Sequence, residues 1–370
     1  MDLRKLDSVE SIRAVAAAWD SLWQRSGVTM PTARAELVAQ WLEHFAPGRV
    51  AQALVVEQDG KFLAALPLAA RRIRRLITVG DVTWNEWSPS GELLLDPHCE
   101  AEAVLGRLLD GLTRLDWPLL WLDFAPIDSL WWRSLLNALA CRQISVDVHP
   151  RYRIGQVELS GDLDTYLSSR SKNLRRNLRR DARRIEEVGR MTLQWRCEFN
   201  AEEIERELRL IFEVEDRSWK QSRGQTVLRM PGMFEFYCRQ ARQLAEWGML
   251  RIATMELGGQ PFAFELGWTA KRVYHSFKVG FDAAYRDFGP GHLLRRAIVE
   301  RLYQSRDADT IDFQGPMTEA LAAWSTRTYP IGRVVLPADG LAGRIALAGY
   351  RGVSRLIRRV RRSVYNDPPD

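Results

Sequence analysis

At 370 residues, 46% hydrophobic and 27% charged, the chain is too long for one comfortable core and too apolar for disorder. Its four cysteines (Cys99, Cys141, Cys197, Cys238) are scattered, without a C-x-x-C pair or a histidine at ligand spacing, which speaks against a zinc site or a disulfide framework and for a reducing compartment. The net charge of +6 sits in two places: Arg170–Arg184 has eight basic residues against Asp181 alone, and Arg344–Arg362 has seven arginines and no acid.

The first residues, Met1–Asp7, carry charges where a signal peptide would be apolar, and no window approaches the roughly 18–20 apolar residues of a membrane span. A soluble, cytoplasmic protein is expected. Val9–Trp23 reads as a helical run and Ala35–Phe45 as a helix. Ala53–Val56 and Phe62–Leu66 are apolar runs flanking Asp59-Gly60, a strong hairpin signal. The loop Asp81–Gly91 leads to a helix (Glu100–Leu115), a buried strand (Leu119–Phe124), a helix (Asp128–Leu139) and a strand (Ile144–Val148).

A helical insertion follows: Leu163–Val188, Ala201–Lys220 and Met233–Glu246. In its first helix Leu167, Leu174, Leu178 and Ile185 form an apolar stripe opposite a basic face. Strands are then expected at Arg251–Glu256, Pro261–Trp268 and Val273–Phe281, a helix at Gly291–Gln304 and a strand at Thr310–Phe313. The segments 57–64 and 256–263 align at a constant offset of 199, each with Glu, Gly and Ala in the same places around a turn. With the matching order of elements, this points to two copies of one α/β unit joined near Pro150.

Strand Val273–Phe281 runs into Asp282-Ala283-Ala284-Tyr285-Arg286-Asp287-Phe288-Gly289-Pro290-Gly291-His292-Leu293 and then a helix. Glycines at such a junction admit a pyrophosphate close to the backbone, and helix N-terminal N–H groups supply donors. Arg286-x-x-Gly289-x-Gly291 resembles the R/Q-x-x-G-x-G/A signature of GNAT acyltransferases. The arginine-rich segment Tyr166–Arg176, Gly259–Leu266, Gly289-Pro290-Gly291 and Ile311–Gly315 are similar to the BioF2-like, or CelD-like, acetyltransferases, which are related to the FemAB peptidyltransferases. Two departures stand out: Gly289 replaces a usual Ser, and Ala320-Leu321 replaces an aromatic–Lys pair ahead of Trp324.

The resemblance implies an α/β (α+β) fold of tandem GNAT-like domains, each a mixed twisted sheet flanked by helices, with a basic helical insertion. The N-terminal domain, 1–150, is expected on the substrate side, the catalytic domain at 151–340, and a basic amphipathic tail at 341–370. It further implies acyl-CoA or an acyl carrier protein as donor, bound through Val279, Arg286, Gly289, Gly291, His292 and Leu293, with no metal. The acceptor would be an amine, such as an amino sugar of envelope or exopolysaccharide synthesis. An aminoacyl-tRNA donor, read by the basic helix through Arg176 and Arg180, is the first alternative; a degenerate, non-catalytic scaffold is the second. Acyl transfer needs a base for the ammonium proton and an acid for the thiolate. The candidates are Glu265, inside an apolar strand where burial would raise its pKa, His275, and Tyr285 as proton donor. Trp84 and Trp87 stand in a loop beside Asn85 and Glu86, where they would stack on a sugar ring or pack at an interface. The arginines of 344–362 surround an apolar stripe suited to an anionic membrane surface or to the protein's own domain.

Overall fold

The computed structural model describes residues 1–73, 77–218 and 224–365, with side chains up to Val353. In chain order the first elements are β1 (Asp2–Leu6), α1 (Val9–Ala14), α2 (Ala16–Arg25), α3 (Ala35–Phe45), β2 (Ala51–Gln58), β3 (Lys61–Ile73) and β4 (Ile77–Val82). Three two-residue strands follow, β5 (Trp84–Asn85), β6 (Ser88–Pro89) and β7 (Leu94–Leu95). Then come α4 (Ala101–Leu112), β8 (Leu119–Ala125), α5 (Leu130–Cys141) and β9 (Asp147–Glu158). The next stretch holds α6 (Leu163–Ser169), α7 (Lys172–Glu186), β10 (Met191–Arg196), α8 (Ala201–Asp216) and α9 (Met233–Glu246). The remainder is β11 (Leu250–Leu257), β12 (Gln260–Ala270), β13 (Val273–Phe281), α10 (Pro290–Ser305), β14 (Thr310–Asp312), α11 (Glu319–Ala322), β15 (Arg327–Pro337) and α12 (Leu341–Tyr365). Among the described residues no helix is long and apolar enough to cross a membrane.

Two compact units divide these elements: residues 1–28, 32–151 and the segment from Pro330 on form the first, residues 29–31 and 152–329 the second. Each is a mixed sheet with helices against it. In the first, the strand order is β1-β2-β3-β4-β8-β15, antiparallel except for the β4–β8 pair. Leu54, Val56 and Leu66 of the sheet meet Leu105, Leu108 and Leu109 of α4 and Trp132 of α5 in its core. In the second, the order is β9-β14-β13-β12-β11-β10, and only β13–β14 is parallel. Its core joins Leu174, Leu178 and Ile185 of α7 to Leu294, Ile298 and Leu302 of α10 over Met255, Phe262 and Ala263.

The internal repeat reaches down to backbone detail. Gln58 pairs with Lys61 across the turn Asp59-Gly60, and Leu257 with Gln260 across Gly258-Gly259; all four turn residues have positive φ, from 53° to 82°. That is the twist-matched two-residue hairpin. One pair further, both ladders slip at a bulge, between Val56 and Glu57 and between Met255 and Glu256, at the same offset of 199.

The insertion differs from its expected form. The long helix breaks between Ser169 and Lys172, because Asp162 and Ser171 each accept a hydrogen bond from the N–H three residues on and so start separate helices. Strand β10 then separates α7 from α8 and adds an edge to the sheet through β11. Helix α8 ends at Asp216, and the Lys220 end expected for it lies outside the described residues. The run Val9–Trp23 is likewise two helices, broken at Val15.

Candidate active site

In the second unit the parallel ladder between β13 and β14 covers three residue pairs, ending at His275–Asp312. The rest of β13 runs on beside β12 to Phe281 and delivers the chain to the glycine loop. Asp282 opens that loop: its carboxylate accepts the N–H of Ala284 and pairs with Arg217 Nε at 2.6 Å. Arg217 also donates to the carbonyl of Pro261, so α8 pins the loop to the β11–β12 hairpin side.

The two glycines have different reasons to be glycine. Gly289 has φ +61°, and a Cβ there would lie 2.8 Å from Asp181 Oδ2. The protein's own packing demands glycine there, a reason separate from the open backbone that the sequence suggests for both glycines. At Gly291, in the first turn of α10, a Cβ would meet nothing within 4 Å. Pro290 has no N–H, and those of His292 and Leu293 go to the carbonyl of Gly289. Leu293 itself is core. Open space over a helix N-terminus is therefore centred on Gly291.

Basic side chains surround that end. Arg286 is exposed on the loop. Helix α7 packs against α10 and the loop; its Arg184 donates to the carbonyl of Asp287 at 3.0 Å and lies over the Phe288 ring. Arg180 pairs with the buried Asp181. Arg175, Arg176, Arg179 and Arg183 are exposed on the same helix. His292 is half-buried, and its Nδ1 accepts the Trp324 indole N–H at 3.0 Å. An indole nitrogen only donates, so the neutral ring carries its proton on Nε2; burial holds the imidazole below its ordinary pKa. Tyr285 packs on Phe262 and Phe288 and stays half-exposed. Val279 is partly buried against the core.

Glu265 and His275 are sealed in the interior, 0% and 1% exposed. Glu265 accepts from the Tyr274 hydroxyl at 2.8 Å and pairs with Arg295, whose Nη1 lies 2.9 Å from Oε2 and also donates to Ser276. This cluster seats α10 on β12 and β13. His275 lies between the Thr29 carbonyl and the Gln314 amide, and Gln314 in turn bonds Asp312, which accepts from Gln156 and Tyr329. Burial pushes its pKa down to about 4, so it is neutral. The strands that carry them turn both side chains inward, away from solvent. Trp84 and Trp87 belong to the first unit, where both line a cavity. The sequence does not reveal the contacts of Asp181 with Gly289, of Arg217 with Asp282, or of Trp324 with His292, which join residues 108, 65 and 32 apart.

Residues 172–320 match the family model of the acetyltransferase (GNAT) domain. Solved structures share the fold over most of the chain. FemX does so at 12% identity and a TM-score of 0.60, covering 94% of this chain and 99% of its own. The C-terminal domain of a putative lysylphosphatidylglycerol synthetase from Agrobacterium fabrum matches at 11% and 0.56, over 91% and 95%. L-PGS from Bacillus licheniformis matches at 11% and 0.54, over 88% and 92%. No curated protein sequence matches the chain. Over residues 172–320 the chain is thus similar to the GNAT acetyltransferase domain, and its fold is the one seen in FemX.

Proposed function

We propose that this protein transfers an acyl group from acyl-CoA to a primary amine, with an amino sugar of envelope or exopolysaccharide synthesis as acceptor. The observation that carries the reading is the open α10 N-terminus at Gly291, flanked by Arg286 and the arginines of α7. The Gly291 N–H and the helix dipole face the pyrophosphate, and guanidinium groups neutralise it. The amine nitrogen attacks the thioester carbonyl, the C–S bond breaks, and the thiolate takes a proton. Tyr285, half-exposed on the loop, gives that proton in this scheme and is reprotonated by the one the attacking nitrogen sheds as it becomes an amide. With Glu265 and His275 sealed, the acceptor enters as free amine, its ammonium proton already lost to water. The exposed face Arg175–Arg183 also suits an acidic acyl carrier protein presenting the same thioester.

We place the reaction in the cytoplasm, with α12 against anionic lipid. In its described half Leu341 and Ile345 are 73% and 62% exposed beside the exposed Arg344, while Leu347 packs inward. The side chains from residue 354 on lie outside the described residues.

Calorimetric titration with acetyl-CoA tests the donor. Binding by the wild type, lost in Gly291→Val at an unchanged melting temperature, is expected. Absence of acetyl-CoA binding, with charged tRNA bound tightly, weakened steeply by salt, and that slope flattened by Arg176→Ala with Arg180→Ala, would instead establish an aminoacyl-tRNA donor.

A further inference from the structure

The first unit contains a polar cavity of about 440 Å³ that the acyl-transfer reading leaves unused. In that unit β4 and β8 meet at Gly80 and Leu120. The strand ends beyond this pair, Asp81–Val82 and Asp123–Phe124, line the cavity. By the internal repeat β4 and β8 are the counterparts of the parallel pair β13 and β14. The first unit lacks the counterpart of the donor loop, because α4 is preceded by Glu100 as its N-cap and by no glycine pair, and a carboxylate at a helix N-terminus repels an anion.

The cavity floor is a ring of charge. Asp81 accepts from Arg71 at 2.6 Å and from the N–H groups of Val82 and Asp123. Asp123 holds Arg333, with Arg151 at 3.6 Å and Arg71 at 3.9 Å. Three guanidinium groups thus share two buried carboxylates. The buried Nε of Arg333 has no acceptor. Arg49, also in the lining, pairs with no carboxylate among the described residues. Across the whole lining four arginines face three acids. Positive charge in excess, held in a concave site with low-dielectric walls, attracts an anion more strongly than the same charge on an open surface.

The walls are aromatic: Trp41, Phe45, Trp84, Trp87 and Phe124. Phe124 stacks on Trp84. It does so from φ +59°, a conformation costly for a bulky residue and typical of sites where geometry serves a ligand. The volume falls within the range of small-molecule pockets.

We propose that this cavity binds a small organic anion, a carboxylate or phosphate group carried on a flat ring. The arginine ring takes the oxyanion, and the aromatic walls take the ring face. Both halves are needed: inorganic phosphate lacks the stacking surface, and a neutral ring leaves the guanidinium groups unmatched.

Titration calorimetry with phenyl phosphate, benzoate, inorganic phosphate and benzyl alcohol tests this. Phenyl phosphate or benzoate should bind at least tenfold more tightly than either fragment control, and the tighter of the two identifies the anion. Arg49→Gln, which removes no internal ion pair, and Arg151→Gln, which removes only the 3.6 Å contact, should each weaken that binding while the melting temperature holds. Failure of both ring anions to bind at millimolar concentration overturns the proposal. So does equal binding of benzyl alcohol, or binding that both substitutions leave unchanged. Acetyl-CoA titration of the same variants should match the wild type.

Discussion

Replacing Glu265 by Gln separates a seat from a base. The carboxylate and Arg295 are both buried, with side chains 0% and 6% exposed, so the substitution leaves a guanidinium charge in the interior with Ser276 as its remaining polar partner. Breaking a buried pair on one side costs about 3–5 kcal/mol. At roughly 2–4 °C per kcal/mol for a unit of this size, the melting temperature should fall by about 6–20 °C. Gln still accepts from Tyr274, so the loss is electrostatic, not steric. Adding Arg295→Met should recover most of the stability, since it removes the uncompensated charge; the four proteins make a double-mutant cycle read by thermal denaturation. Assayed well below its melting temperature, Glu265→Gln should keep turnover within about threefold of wild type. If Glu265 were instead the base for the amine, turnover would drop roughly 10²–10⁴-fold with the melting temperature intact. That result would refute the structural role.

Gly289→Ala should destabilise the protein by about 2 kcal/mol, from a left-handed alanine and the displaced Asp181. Pairing it with Asp181→Ala should return part of the loss; an unchanged melting temperature for the single variant contradicts the packing account. For His275 the folded pKa of about 4 lies below the unfolded value of about 6.5. Its contribution is therefore complete above pH 6.5 and lost as pH falls toward 4, by about 3 kcal/mol at 1.36 kcal/mol per unit. Urea midpoints of wild type and His275→Gln should converge over that range, and a difference independent of pH would exclude the buried neutral imidazole.

The parts of this structure legible in the sequence are those encoded locally. The hairpins at Asp59-Gly60 and Gly258-Gly259 announce themselves by turn residues that accept positive φ, and the repeat by their common spacing. What stayed hidden depends on distant partners. The role of Gly289 rests on Asp181, 108 residues earlier in the chain. An apolar strand such as Phe262–Leu266 does not reveal which face Glu265 takes until Tyr274 and Arg295 are beside it. Strand β15 is masked in the sequence because Pro330 and Gly332 interrupt its pattern, and β10 because helices stand on either side of it. The periodicity of α7 sets its arginine stripe opposite Leu174 and Leu178, but its contact with the loop through Arg184 depends on the fold.

The late return of β15 to the first unit also sets a timetable for synthesis. Antiparallel pairing of Gly332–Pro337 with β8 completes that unit's sheet, yet about 180 residues separate its last N-terminal residue, Arg151, from Pro330. At roughly 5–20 residues per second, a ribosome needs about 9–36 s to supply them. Throughout that interval one side of β8 is an open strand edge of apolar residues, Leu119, Leu120 and Leu122, the type of surface that chaperones guard and that pairs wrongly with other chains. The second unit, nearly continuous in the chain, is finished first, so the order of folding in the cell runs against the order of translation.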